Sequence, residues 1–333
     1  MQTSDFDYDL PEELVAQTPI EQRDESRLMV LDRAGRSIIH RNFFHLPELL
    51  QSGDVLVFNR SRVIPARIYG RREGTGGRVE LLLLKRISAD TWEAMVKPAK
   101  RLKTGARIIL GSGTNLAEII REEDEGLRVV RFWDEKKLLC GGEVPLPPYI
   151  HHKLEDNERY QTVYSSDPGS VAAPTSGLHF TPELINRLQT TGIQTVFVTL
   201  HIGLDTFRPI KNDDPCQHVI HTEYGRIEAD AGRIIQQARS EGRRVISVGT
   251  STARLLEQAG SVQAYEGWTD LFILPGHRFK VIDGLITNFH LPRSSLLMLV
   301  SAFAGHEFIM SSYREAIQER YRFYSFGDAM LIL

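Results

Sequence analysis

Short apolar runs set off by glycine and proline give this chain its texture, and their spacing changes twice along it. Asp9-Leu10-Pro11 opens a short predicted helix through Gln17, with Asp9 as the cap and Pro11 in the first turn. Leu28–Leu31 and Val55–Phe58 are too short for helices and predict buried strands. From Ile64 to Phe132 the runs become more frequent. Ala66–Tyr69, Arg78–Leu84, Thr91–Val96, Arg107–Leu110, Leu116–Ile120 and Leu127–Phe132 each predict a strand, most of them separated by glycine-bearing turns. Strands at that spacing predict a small barrel or sandwich. Pro145-Leu146-Pro147-Pro148 then stiffens the chain. Residues 63–145 are therefore expected to form a β-domain inserted into a larger, discontinuous α/β domain made of residues 1–62 and 146–333.

The second half alternates between strand and helix patterns. Thr181 caps a predicted helix that has Pro182 at its first position and Gly192 beyond its end. Val196–Leu200 predicts a strand, Ala229–Ser240 a helix stopped by Gly242, Val245–Val248 a strand, and Ser251–Gln258 a helix. Leu271–Leu274 and Leu285–Thr287 predict strands, Leu296–Phe303 a buried helix or strand, and Glu307–Tyr321 a terminal helix. Such alternation predicts an α/β layer architecture.

Composition narrows the function classes. The chain has 333 residues, 41% hydrophobic and 25% charged, which is ordinary for a globular enzyme. Two cysteines, Cys140 and Cys216, cannot build a disulfide framework, a four-cysteine zinc site or a three-cysteine iron–sulfur motif, and a reducing cytoplasm fits them. The apolar run Leu296–Phe303 falls far short of the ~20 residues that span a bilayer. Net charge is −3, so nucleic acid could be met only through a local patch. There is one: thirteen Lys or Arg against four acids between Arg60 and Arg107. Such a surplus is what contact with a phosphate backbone requires.

Five segments carry candidate chemistry. Val245–Val248 runs into Gly249-Thr250-Ser251-Thr252, where free N–H groups at a helix start and three hydroxyls suit a carboxylate or phosphate. The lysine and second glycine of a P-loop are missing. Around His179, the run Ala172-Ala173-Pro174-Thr175-Ser176-Gly177 lets a ligand approach the backbone. His201 ends an apolar strand, where α/β sheets bind ligands. His218, His221 and Glu223 invite a metal reading, but neither strand nor helix spacing puts all three on one face, so acid/base or positioning work is the better expectation. Asn288 and His290 follow another strand.

Together and in this order, these segments resemble one family. GDVLVFNRSRVIPAR, PLPPYI, VAAPTSGLHF, TLHIGLDTFRPI, HVIHTEY, VGTSTARLLE, TNFHLPRSSLLMLVSAFAG and YRFYSFGDAM resemble the S-adenosylmethionine:tRNA ribosyltransferase-isomerases of queuosine biosynthesis over nearly the whole chain. Ser176, Leu204, Asp205, Ser251 and Ser295 depart from the family's usual residues, and Asp205 adds a charge close to His201.

The resemblance implies a large mixed α/β domain with an inserted small β-barrel. It implies transfer and isomerisation of the ribosyl part of S-adenosylmethionine onto 7-aminomethyl-7-deazaguanine in the wobble position of tRNA. Epoxyqueuosine-tRNA forms, and adenine and methionine leave. S-adenosylmethionine is then a consumed co-substrate, with no resident cofactor and no metal. The expected partner is the tRNA anticodon loop, and the expected state is a cytoplasmic monomer.

The reaction needs a base for the proton beside the sulfonium and a holder for the methionine carboxylate. His179 and His201 are the first expected bases, with His221 and Glu223 behind them. Gly249, Thr250 and Ser251, with Arg254 or Arg62, are expected to take the carboxylate. Thr175, Thr206, Phe207, Asn288 and His290 complete the expected substrate site, and Arg71, Arg72, Lys100, Arg101 and Lys103 the tRNA grip. An S-adenosylmethionine-dependent RNA methyltransferase, a non-catalytic tRNA-binding module and a metal-dependent hydrolase are the rival readings.

Overall fold

Apolar runs of four to six residues become strands here because each finds a hydrogen-bonding neighbour on at least one side. The computed structural model describes residues 1–111, 115–135, 139, 141–203, 210, 212–220, 222–260 and 263–333. In chain order the first strands are β1 (Arg27–Asp32), β2 (Ser37–Asn42), β3 (Val55–Asn59) and β4 (Ser61–Val63). Next come β5 (Arg67–Arg72), β6 (Arg78–Ser88), β7 (Thr91–Lys97), β8 (Arg107–Leu110), β9 (Asn115–Glu122) and β10 (Leu127–Phe132). The last are β11 (Asp167–Ser170), β12 (Gln194–Leu200), β13 (Glu223–Ile227), β14 (Val245–Val248), β15 (Tyr265–Thr269), β16 (Gly284–Asn288) and β17 (Ala329–Ile332).

The chain divides into two units. Met1–Arg62, Pro147–Asp167 and Ala173–Leu333 form one, and Val63–Leu146 with Pro168–Ala172 forms the other. The larger unit holds a nine-stranded mixed sheet in the order β15-β13-β12-β3-β14-β16-β17-β1-β2. Its middle four strands, β12, β3, β14 and β16, run parallel. Parallel strands need cover on both faces, and the sequence of β3 supplies it by alternation. Val55 and Val57 join one core with the helices Ala229–Ser240, Thr250–Ala259, Ser295–Ala304 and His306–Gln318. Leu56 and Phe58 join the other with Leu184 and Leu188 of the helix Pro182–Thr190 and with Phe43, Leu46 and Leu50. Among the described residues no single helix is long and apolar enough to cross a membrane, and the apolar helix Ser295–Ala304 bends by 114° into the next.

The smaller unit is a closed six-stranded barrel in the order β10-β7-β6-β5-β8-β9. Closure leaves no strand edge to aggregate. Trp92, Ala94 and Val96 point inward from β7 and alternate with half-buried neighbours. Arg128 on β10 is buried, and its guanidinium donates to the carbonyls of Leu102 (2.9 Å) and Ala99 (2.9 Å). It thereby shapes the turn that presents Lys100 and Arg101, both exposed. Arg71 is exposed and Arg72 half-buried on β5. Lys103 is paired with Glu122 at 3.0 Å.

Two expected elements are absent. The helix from Asp9 to Gln17 reduces to a single 3-10 turn, Glu12–Leu14. Backbone pairing explains this: Phe323 N–H donates to the Leu14 carbonyl and Ala16 N–H to the Phe323 carbonyl, so the segment is held extended by a distant stretch of chain. Leu271–Leu274 is not a strand; it packs on the core, and its Leu271 carbonyl accepts from Arg254 instead of from a ladder. The paired strand lies just before it, at β15.

Replacing Arg128 with Met should leave the Leu102 carbonyl without its side-chain donor and the Ala99 carbonyl with the Leu102 N–H alone. The expected cost is roughly 2–4 kcal/mol of stability, read from urea unfolding of the variant against the parent.

Candidate active site

The parallel strands β12, β14 and β16 end on the same side of the sheet, and a cleft opens where their chains leave it. This is where α/β sheets bind ligands. The cleft contains about 620 Å³ of empty space, open to solvent. Its walls come from Ile202 after β12, Gly249–Ser251 after β14 and Asn288–Leu291 after β16. The turn Thr175–Gly177 and the Tyr149, Tyr324 and Ser325 side complete it.

Gly249 carries φ +93°, a conformation that glycine adopts without strain, and this turns the chain sharply from β14 into the helix Thr250–Ala259. No side chain caps that helix start. Its first N–H groups and the positive end of its dipole therefore remain for an anion. Four residues on, Arg254 is 6% exposed and Glu223 of β13 is 7% exposed. Arg254 NH1 donates to Glu223 Oε2 at 2.7 Å, and Arg254 Nε donates to the Leu271 carbonyl. Arg254 NH2 is buried with no partner among the described residues. A buried guanidinium nitrogen without an acceptor is costly, and a carboxylate in the cleft would satisfy it. Glu223 Oε1 accepts from Gly203 N–H at 3.0 Å.

Asn288 has both of its amide hydrogens used and one bond to its oxygen. Its Nδ2 donates to the Tyr324 carbonyl (3.1 Å) and to His179 Nε2 (3.2 Å), and its Oδ1 accepts from Thr175 Oγ1 (3.4 Å). An amide nitrogen cannot accept, so His179 Nε2 is the acceptor and Nδ1 carries the proton. Nδ1 donates to Ser26 Oγ at 2.8 Å, and the ring stacks on Phe43. Burial, helped by the charges of Arg23 and Arg322, pushes the His179 pKa down to about 3. His179 thus stands behind Asn288, and it lines a second cleft instead of the first.

His290 does line the first cleft. Its ring Nε2 is bonded to Thr287 Oγ1 at 2.7 Å, its backbone N–H donates to Tyr313, and its carbonyl accepts from Tyr8. Burial pushes its pKa to about 3. His201 and Arg62 are not in the lining. His201 bonds Ser61 Oγ through Nδ1 at 2.8 Å and stacks on Tyr224; burial lowers its pKa against the opposing charge of Asp167. Arg62 engages Ser165 and Glu158. Thr206, Phe207 and His221 lie outside the described residues, as do Leu204 and Asp205. The cleft therefore gathers Thr175, Glu223, Gly249, Thr250, Ser251, Arg254, Asn288 and His290 from the expected set.

Sequence reasoning does not single out Tyr149 or Ser325. Tyr149 follows a proline-rich stretch that signals stiffness and no chemistry. Its hydroxyl bonds Ser325 Oγ at 2.7 Å, and its ring lies 4.8 Å from that of Tyr324. Tyr324 is held at φ +70°, which a bulky residue adopts only when its surroundings force it. Burial pushes the Tyr324 phenol up to about 12, so both it and Ser325 are neutral hydrogen-bonding groups at the rim. No cluster of three or more metal-ligating side chains occurs among the described residues.

Comparison with known proteins gives one consistent result. A family model described as "Queuosine biosynthesis protein" matches residues 3–332. S-adenosylmethionine:tRNA ribosyltransferase-isomerase of Symbiobacterium thermophilum is 54% identical, with 100% of both chains covered. Its namesake from Desulfitobacterium hafniense is 53% identical, again over 100% of both chains. The 2.00 Å crystal structure of S-adenosylmethionine tRNA ribosyltransferase from Thermotoga maritima is 39% identical, covers 99% of this chain and 100% of that one, and superposes with a TM-score of 0.59.

The two buried histidines make a pH signature. Both have folded pKa values near 3, below the ordinary histidine value of 6.5. The unfolded chain therefore takes up protons first as pH falls. Their contribution to stability is complete above pH 6.5 and declines as pH drops towards 3. Thermal melts of His179→Gln and His290→Gln should lose less Tm between pH 7 and pH 4 than the parent; equal slopes would contradict the neutral assignments.

Proposed function

The chain belongs to the queuosine biosynthesis protein family, and from that premise we propose how its cleft and its barrel divide the work. The protein is a transferase that moves the ribosyl part of S-adenosylmethionine to tRNA and isomerises it. The acceptor in our reading is 7-aminomethyl-7-deazaguanine at the wobble position, presented by the anticodon loop. Adenine and methionine leave, and epoxyqueuosine-tRNA remains. S-adenosylmethionine is consumed, so the reaction calls for no resident cofactor or metal. The enzyme works as a monomer in the cytoplasm, where its tRNA is.

One observation carries the reading: the uncapped helix start at Thr250 lines the same cleft as buried Arg254, whose NH2 has no partner among the described residues. These two donors are complementary to the methionine carboxylate. The sulfonium then lies towards Glu223, which is the cleft's carboxylate among the described residues. A sulfonium acidifies the adjoining C–H bond, and in our reading Glu223 accepts that proton; opening of the ribose expels adenine and exposes an electrophile to the tRNA amine. His179 acts through Asn288, holding its amide so that Oδ1 and Nδ2 keep one orientation beside the ribose or adenine. His290, neutral, offers a second hydrogen-bonding edge. Tyr324 and Tyr149 offer aromatic faces for a base turned out of its loop. On the barrel, Arg71, Arg72, Lys100, Arg101 and Lys103 contact phosphates.

Donor labelling tests the reaction. Ribosyl label should enter tRNA with one adenine released per transfer, and methyl label should leave in methionine; methyl label in tRNA would replace this reading with a methyltransferase. Glu223→Gln should cut kcat by roughly 10²–10⁴ with little change in binding, as loss of a general base does. Arg254→Gln should instead raise the KM for S-adenosylmethionine.

Charge reversal at Arg71, Arg72, Lys100 and Arg101 should weaken tRNA binding and flatten its dependence on salt, by about 0.7–0.9 in slope for each phosphate that is no longer neutralised. An unchanged slope would remove the barrel from the tRNA interface.

A further inference from the structure

His179 faces a second cleft, about 280 Å³ of space open to solvent, lined by Pro19, Ile20, Arg23, Arg159, Leu178, Ser325, Phe326 and Gly327. Two guanidinium groups stand in this lining, and among the described residues no carboxylate does. Both arginines spend their donors on carbonyls. Arg23 donates to those of Leu178 (3.0 Å) and Glu158 (2.9 Å), and Arg159 donates to those of Glu21 (2.9 Å) and Ile20. Arg159 Nε is buried and has no partner among the described residues. Arg322, whose guanidinium donates to the Thr18 carbonyl, adds a third positive charge close enough to act on His179. Of the nearby acids, Glu158 is committed to Arg62 and Asp156 to the Glu158 N–H.

Two arginines held side by side by carbonyls repel one another, and burial together with the charge of Arg159 lowers the pKa of Arg23. Their forks are fixed in place before any ligand arrives, and a buried donor is left over. A tetrahedral oxyanion has the charge and the number of acceptors to answer both. Ser325 borders this cleft and the substrate cleft alike.

We propose that the Arg23–Arg159 cleft binds a phosphate group, and that in the working enzyme this is a phosphodiester of the tRNA strand whose neighbouring base enters the substrate cleft. The second half of this proposal rests on the tRNA reading above. It assigns a division of labour: the barrel's basic residues supply affinity, and this cleft sets register, so that the right nucleotide meets Glu223 and Asn288.

The test uses the full-length protein and two variants. Arg159→Gln removes the charge but keeps hydrogen-bonding capacity towards Ile20 and Glu21. Ile20→Glu keeps both arginines and adds a carboxylate to the lining they share, so it decides the matter should the first variant fold poorly. Binding of inorganic phosphate is measured by calorimetry, and binding of tRNA by titration at several salt concentrations. Both variants should lose phosphate binding, bind tRNA roughly tenfold more weakly and reduce the salt slope by about one. Their KM for S-adenosylmethionine should stay at the parent value. Lost phosphate binding with unchanged tRNA affinity would assign the cleft to free phosphate and overturn its role in tRNA. Parent-like binding of both ligands by folded Ile20→Glu would overturn the site altogether. A parent protein that binds phosphate but no tRNA would instead refute the proposed function and leave the anion site standing.

Discussion

Everything at the active site depends on the hydrogen-bond ladders of four parallel strands. β12, β3, β14 and β16 must align to satisfy their buried backbone groups, and alignment brings their C-terminal ends to one edge. The loops that leave there supply an uncapped helix start, a buried Arg–Glu pair and the Asn288–His290 segment. Apart from Thr250 and Arg254, which sit one turn apart on one helix, these lie far from one another in sequence. The sheet, and not any one motif, makes them neighbours.

Around that edge the protein keeps its histidines neutral and its charges few. His179 is locked between Ser26 and Asn288, and His290 is held by Thr287. A cationic substrate would be repelled by protonated rings, so burial that suppresses the imidazolium state also protects binding. The Arg254–Glu223 pair brings a donor for a carboxylate and an acceptor near a sulfonium at almost no net charge. The second cleft has the opposite character, with two guanidinium groups and an unpartnered nitrogen. Under the two proposals, the first site takes a small zwitterionic cation and the second an anion.

Much of the fold was legible. The period-two runs after Ile64 became the strands of a closed barrel, and Val245–Val248 and Ala229–Ser240 have the bounds their patterns predict. Propensity failed where distant backbone intervened, as at Leu14–Ala16, which Phe323 holds extended, and at Leu271, whose carbonyl serves Arg254. Strand β2 escapes a pattern reading because its alternating residues are half-buried at best, so no apolar run marks it.

For the site, sequence alone determined the residue types and the loops: Gly249-Thr250-Ser251 before a helix, Arg254 one turn on, and Asn288 with His290 after a strand. Those are local facts, set by turn and helix-start chemistry within a few residues. What only the tertiary structure decided is which side chains face the ligand space. His179 and His290 look alike in sequence, each a histidine in a polar loop. One has both ring nitrogens consumed and lies behind an asparagine, while the other opens on the cleft. That distinction depends on Ser26 and Asn288 arriving from far along the chain, and so does the second arginine cleft, where Arg23 and Arg159 meet across more than a hundred residues. Long-range packing sets burial and partners, and burial and partners set what a titratable group can do.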